Sequence, residues 1–191
     1  MSKLLTALLV FTLSGCYDPT VRENILFMGD SIAQEIVDDF GFSMLRRDEA
    51  PMIVNNSIGG MALDFIDSRE YWVGRSIEIQ AQVEIGAVVI SLGTNDANAN
   101  TLNDYPAAID ALMDTFPVTT RVLWLVPTLI STVERGQLAR QLIIDAEGRH
   151  SNLTIVYIDG MGHDADEIHL TPKGEERVAR QLTELLGYYN E

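Results

Sequence analysis

The stretch Ile25-Leu26-Phe27-Met28-Gly29-Asp30-Ser31-Ile32, ILFMGDSI, is an apolar run that stops at a glycine and is followed at once by an acid and a hydroxyl. A short run of this kind, closed by a turn residue, fits a strand buried on both faces. Ser31 then has two readings. It is a good N-cap for a helix that starts where the strand ends, and Asp30 could serve as well. A serine at such a junction could instead expose its oxygen above a sheet while its own N–H points into a site. As a nucleophile it would still need a base.

Outward from this stretch, apolar strand-like runs alternate with helix-like segments. NILFMG (24–29) is the first strand, and a helix is expected from Ser31 to about Phe42. MIVNNS (52–57) is the second strand, closed by the turn-forming IGGM and a short helical stretch. AVVISLG (87–93), RVLWLVP (121–127) and LTIVYID (153–159) are the third, fourth and fifth. Residues 68–84 read least clearly, with SIEIQAQVEI before the third strand expected to be helical. Ala108, Leu112 and Phe116 share one helical stripe, and Leu138, Leu142 and Ile143 another. The last helix, from Pro172 to about Leu186, opens on Thr171-Pro172, a fitting cap and first-turn pair, with Val178, Leu182 and Leu185 as its apolar face. Alternation of this kind predicts a three-layer α/β/α sandwich around a parallel sheet of about five strands. Sites in such sheets lie at the C-terminal ends of the strands.

The chain has 191 residues, 47% of them apolar, which is enough for one domain with a real core. Its formal charge of -15 argues against a nucleic-acid surface. The opening MSKLLTALLVFTLSGC has one Lys, an apolar run from Leu4 to Leu13 and small residues before Cys16. That layout is a secretory signal, too short for a standard membrane span. Its end, Leu13-Ser14-Gly15-Cys16, resembles a lipobox, which implies cleavage after residue 15 and a lipidated, palmitate-bearing Cys16. Residues 1–15 are thus expected to be a signal peptide, 16–23 a tether and 24–191 a single domain in the bacterial cell envelope. Tyr17, rather than an aspartate, follows Cys16, which by the same resemblance favours the outer membrane, facing the periplasm. Cys16 is the chain's only cysteine, so no intrachain disulfide can form.

The polar residues at the strand ends supply candidates for a site. Of three histidines, His150 falls before the fifth strand, at the opposite edge, whereas His163 and His169 follow that strand. In DADEIHLTPKG, Asp166 precedes His169 by three residues, a spacing that lets a carboxylate fold back onto an imidazole and fix its tautomer. Asp164 with His163 is the rival pair, but adjacent side chains tend to point apart. Gly59-Gly60 after the second strand could present an unobstructed backbone N–H to an oxyanion, or simply form a tight turn. Asn95 in SLGTND offers a carboxamide at the same edge, or an Asx-turn or cap. No Cys/His cluster or calcium-loop spacing supports a metal site, and without a GxGxxG or Walker loop no dinucleotide or nucleoside triphosphate is implied.

Four blocks in this order resemble the SGNH hydrolases, the GDSL-type esterases and lipases: Gly29-Asp30-Ser31-Ile32, the NNSIGGM run, Gly93-Thr94-Asn95-Asp96 and Asp166-Glu167-Ile168-His169. The resemblance implies the flavodoxin-like SGNH fold, and chemistry in which no metal or organic cofactor takes part. It also implies Ser31 as nucleophile, His169 as base and Asp166 as its orienting acid. The oxyanion hole would be built from Ser31 N–H, the N–H of Gly60 in preference to Gly59, and the Asn95 carboxamide. Asp30 and Asp96 are expected to be structural. Ile32 stands where the family's name has leucine, and Glu167 where many members have glycine. The implied activity is hydrolysis of small acyl esters or lipids, with lysophospholipase-like and thioesterase-like members closest. Carbohydrate O-acetyl esters are the enzymatic alternative and a non-catalytic envelope lipoprotein the third. Tyr71, Trp72 and Trp124 are candidates to line the pocket, with Trp124 more at home in the core.

Overall fold

The computed structural model describes residues 24–45, 51–65, 67–99, 102–126, 133–166 and 168–188. The signal, tether and Cys16 expected at the N-terminus lie outside them, as do Pro127 and Glu167. Among the described residues there are five strands: β1 (Asn24–Gly29), β2 (Ile53–Ser57), β3 (Ile85–Ser91), β4 (Arg121–Val126) and β5 (Leu153–Tyr157). Six helices connect and follow them: α1 (Ser31–Leu45), α2 (Ser68–Gln82), α3 (Thr94–Ala99), α4 (Tyr105–Met113), α5 (Val133–Glu147) and α6 (Pro172–Leu185). The sheet is parallel throughout, in the order β2-β1-β3-β4-β5.

The strand side chains alternate between two separate cores, as the period of two requires. Ile25, Phe27, Ala87, Val89, Leu123, Leu125 and Val156 face one way and pack with α1 and α6 through Ile32, Ile36, Phe40, Val178 and Leu182. Leu26, Met28, Val88, Ile90, Val122 and Trp124 face the other way and pack with α2, α4 and α5 through Trp72, Tyr105, Leu112 and Ile143. This is the expected three-layer sandwich. Because connections leave β1 in one direction and β3 in the other, the order of strands reverses between them. That crevice is where an open α/β sheet has room for a ligand.

Several boundaries differ from the sequence reading. β3 starts and ends two residues earlier than expected, because the Leu92 carbonyl has left the ladder and instead accepts Tyr105 Oη (3.2 Å) and Trp124 Nε1 (3.1 Å). β5 stops at Tyr157, and Asp159 beyond it pairs with Arg140. The short helix expected after IGGM does not form: residues 61–65 are irregular and rest on the Asp96 carboxylate. The helical reading of 76–85 caught only the second half of α2, which begins at Ser68. Its buried stripe is Ser68, Trp72, Ser76 and Ile79, correctly spaced but half serine, so hydropathy hid it. Trp72 and Trp124 are both completely buried in the core rather than lining a pocket. The Trp72 indole N–H donates to Ala62 O at 2.9 Å, avoiding the roughly 1–3 kcal/mol cost of an unmet buried donor. Among the described residues no helix is long and apolar enough to cross a membrane.

Candidate active site

Gly29 is the hinge of the site. A side chain there is excluded, since an added Cβ would stand 2.4 Å from Ser91 O and 2.9 Å from Ala33 Cβ. The absence of a side chain lets β1 run hard against the end of β3 and turn straight into α1. Two backbone bonds fasten the turn, Asp30 N–H to Ser91 O (2.9 Å) and Ile58 N–H to Gly29 O (2.7 Å). Asp30 does the capping: its Oδ1 accepts the Ile32 N–H at 3.1 Å. Ser31 is therefore the first helical residue, and its hydroxyl is not spent on the helix end.

That hydroxyl faces His169, with Ser31 Oγ 2.9 Å from Nε2. On the other side of the ring, Nδ1 lies 2.6 Å from Asp166 Oδ2. Asp166 Oδ1 also accepts the N–H groups of Ile168 (2.9 Å) and His169 (3.0 Å), so the three-residue spacing closes into a compact loop. This loop leads into α6, whose N-cap Thr171 accepts from Gly174 N–H at 3.2 Å as the sequence indicated. The bond to the imidazole, with help from the two N–H groups, holds the Asp166 carboxyl down at about 2. The same bond raises the His169 pKa, against partial desolvation, and the Glu35 charge adds to it.

The structure thus brings Ser31, Asp166 and His169 into one hydrogen-bonded chain. Of the rival pair, His163 bridges to Leu170 through its backbone, and Asp164 donates its N–H to His169 O at 2.9 Å. His150 is elsewhere, 2.8 Å from Asp110.

Gly60 and Asn95 meet in a cleft of about 500 Å³, lined also by Met61, Ala62, Phe65, Ser68, Asn98 and Ala99. The Gly59-Gly60 turn crosses the start of α1: an added Cβ on Gly59 would lie 4.0 Å from Ser31 Cβ and 3.0 Å from Gln34 Oε1. Gly60 has φ +76°, in the left-handed region where glycine is favoured, and is exposed at the cleft wall. The Asn95 Nδ2 donates to Asp30 Oδ2 and to Met61 O, each at 3.3 Å, so its amide is aimed rather than free to cap α3. Asp30 and Asp96 are buried and hold loops, as expected. Burial pushes the Asp30 carboxyl up to about 7, against the Ile32 N–H and the Ser91 hydroxyl. It also raises Asp96, which accepts Leu63 N–H (2.8 Å) and Asp64 N–H (2.6 Å).

Neither family models nor curated proteins match the sequence. Solved structures do. A protein assigned to the G-D-S-L family of lipolytic proteins, from Desulfitobacterium hafniense DCB-2, is similar at 13% identity and TM-score 0.67, over 86% of this chain and 99% of that one. The psychrotrophic esterase EstA from Pseudoalteromonas sp. is similar at 14% identity and TM-score 0.67, over 87% and 97%. A family 3 carbohydrate esterase of Clostridium thermocellum is similar at 12% identity and TM-score 0.64, over 88% and 98%. The chain has the SGNH-hydrolase fold.

Two residues at this SGNH-fold site escaped the sequence reading. Glu35 lies with Oε1 3.9 Å from His169 Nε2, while its Oε2 accepts the Leu170 N–H at 3.4 Å. Its position four residues after Ser31 puts both on one helical face, a signal available from spacing alone. Phe65, not a tryptophan, is the aromatic of the cleft, with 48% of its surface exposed. It stands in an irregular loop, where no periodicity marks which side chains face a pocket.

Proposed function

We propose that this chain is a serine-dependent hydrolase of carboxylic acyl esters, an SGNH hydrolase in chemistry as well as fold. The observation that carries the reading is the hydrogen-bonded chain Ser31 Oγ, His169 Nε2, His169 Nδ1, Asp166 Oδ2. In the proposed reaction Ser31 Oγ attacks the ester carbonyl carbon as His169 Nε2 takes the hydroxyl proton, and Asp166 steadies the imidazolium. The tetrahedral oxyanion receives N–H groups from Ser31 and Gly60 and from the Asn95 amide, which exchanges its bond to Met61 O for the oxyanion while keeping Asp30. Collapse breaks the ester C–O bond, His169 returns its proton to the leaving alcohol, and water then releases the acid by the same route. No step calls on a metal or organic cofactor.

The cleft supports a small acyl ester or a single lipid acyl chain as substrate, because Met61, Ala62, Phe65 and Ala99 offer it an apolar wall. The carboxamides of Asn95 and Asn98 in the same cleft favour O-acetylated sugars as the second reading. The test is intact-mass analysis after fluorophosphonate treatment, beside turnover of p-nitrophenyl esters and acetylated sugars. One adduct on the wild-type protein and none on Ser31→Ala, with turnover lost, supports the assignment. Wild-type turnover in Ser31→Ala sinks it.

The lipid anchor belongs to the same proposal and rests on residues 1–16 and Tyr17 alone. Mature protein beginning at a lipidated Cys16, in the outer membrane, is the expected product. Retention of residues 1–15 by mass would refute it.

A further inference from the structure

We propose that Glu35 is a positioning residue for the base: its Oε2 holds the backbone at Leu170 (3.4 Å), and its Oε1 sets a carboxylate 3.9 Å from His169 Nε2, the nitrogen that faces Ser31. The role rests on the hydrolase reading, and it concerns a part of the site which that reading leaves unexplained. Asp166 lies on the same loop as His169, three residues away, so it orients the ring within the loop and cannot fix the loop against α1. Glu35 can, because it is carried by the helix that Ser31 begins. It thereby ties the element bearing the base to the element bearing the nucleophile.

The distances divide the work. At 3.9 Å Glu35 Oε1 is too far to be a hydrogen-bond partner of Nε2, so it does not displace Ser31 from the neutral imidazole. Once Nε2 carries the serine proton, the nearby carboxylate stabilises the imidazolium by charge alone. His169 is then faced by three acids from three places: Glu35 on α1, Asp166 on its own loop and Asp30 at the β1–α1 turn. Glu35 in turn faces His169, Asp166 and Asp164 from the loop and Glu175 from α6, with Asp39 of α1 also close to Glu175. Burial raises the Glu35 pKa, and the His169 charge and the Leu170 N–H oppose that rise.

The experiment is an NMR titration of the His169 ring, assigned with His169→Ala, run on wild type, Glu35→Gln and Glu35→Ala beside the pH profile of p-nitrophenyl acetate hydrolysis. Glu35→Gln keeps an acceptor for Leu170 and removes the charge. Its His169 midpoint and the acid limb of kcat/KM are expected to move together to lower pH. Glu35→Ala, which also loses the Leu170 contact, is expected to lower kcat/KM on the alkaline plateau by roughly tenfold or more. Coincident His169 midpoints in wild type and Glu35→Gln overturn the proposal, and so does an unchanged plateau in Glu35→Ala. A wild-type protein inactive on every ester would instead remove the hydrolase reading, while the ring titration would still report whether Glu35 acts on His169.

Discussion

The Asn95 carboxamide is held by Asp30, the residue directly before Ser31: Nδ2 donates to Asp30 Oδ2 across 3.3 Å, from the start of α3 to the end of β1. One buried carboxylate therefore caps α1, receives the Ser91 hydroxyl at 3.2 Å and orients the amide proposed to meet the oxyanion.

Asp30→Asn tests this link. The new Oδ1 can keep Ile32 and Ser91, but the new Nδ2 confronts Asn95 Nδ2, donor against donor. A fall in kcat of roughly ten- to a hundredfold with little change in KM is expected, because the lost interaction serves the oxyanion. Stability should respond to pH as well. The folded protein holds the Asp30 proton up to about 7, whereas an unfolded aspartate releases it near 3.8. Between those values the folded state binds more protons, so the Asp30 contribution to stability falls as pH rises and levels off above about 7. Urea unfolding across that range should show a smaller decline in Asp30→Asn.

Asp166→Asn addresses the base. Asp166, ionised down to about pH 2, is the main reason His169 is a stronger base than usual. In the proposed mechanism activity needs the neutral ring, so it should rise as pH climbs through the raised His169 pKa. Removing the carboxylate moves that acid limb to lower pH and lowers the plateau kcat on the order of a hundredfold. A limb that stays in place would show that Asp166 does not set the basicity of His169.

Asp96→Ala is a stability experiment. Two N–H groups, those of Leu63 and Asp64, lose their acceptor in a buried loop, at a cost of about 2–4 kcal/mol. Asp96→Asn, which can serve only one of them, should fall between. Equal urea midpoints for all three proteins would contradict the assigned role.

Phe65→Ala separates substrates. The ring is half exposed at the cleft, where an acyl chain of the proposed substrate would cover it. KM for octanoyl esters should rise roughly five- to twentyfold, with acetyl esters little affected. Equal effects on both would place the acyl chain elsewhere.

What the sequence disclosed and what it concealed have physical explanations. The five strands were legible because a parallel sheet covered on both faces needs continuous apolar runs. Ser31, Asn95 and His169 could be placed because each follows such a run at the same sheet edge. A neighbour removes the capping reading of Ser31: Asp30 takes that role, which local propensity offered to either residue. α2 was obscured because Ser68 and Ser76 are buried by hydrogen bonds, to Phe65 N–H at 2.8 Å and Thr115 Oγ1 at 2.6 Å, and not by hydrophobicity. Trp72 was misassigned for the reverse reason: a large aromatic beside a site can be structure, once a backbone carbonyl receives its N–H.

Ser31 opens α1 and His169 stands just before α6, and these two helices lie side by side on one face of the sheet, locked by Ile36, Phe40, Val178 and Leu182. The gap between Ser31 and His169 is thus a caliper reading of the apolar seam between these two helices. A truncated Leu182 would loosen the seam between the two helices that carry this pair, while the core on the sheet's opposite face keeps its own packing. Turnover should then fade before ellipticity does.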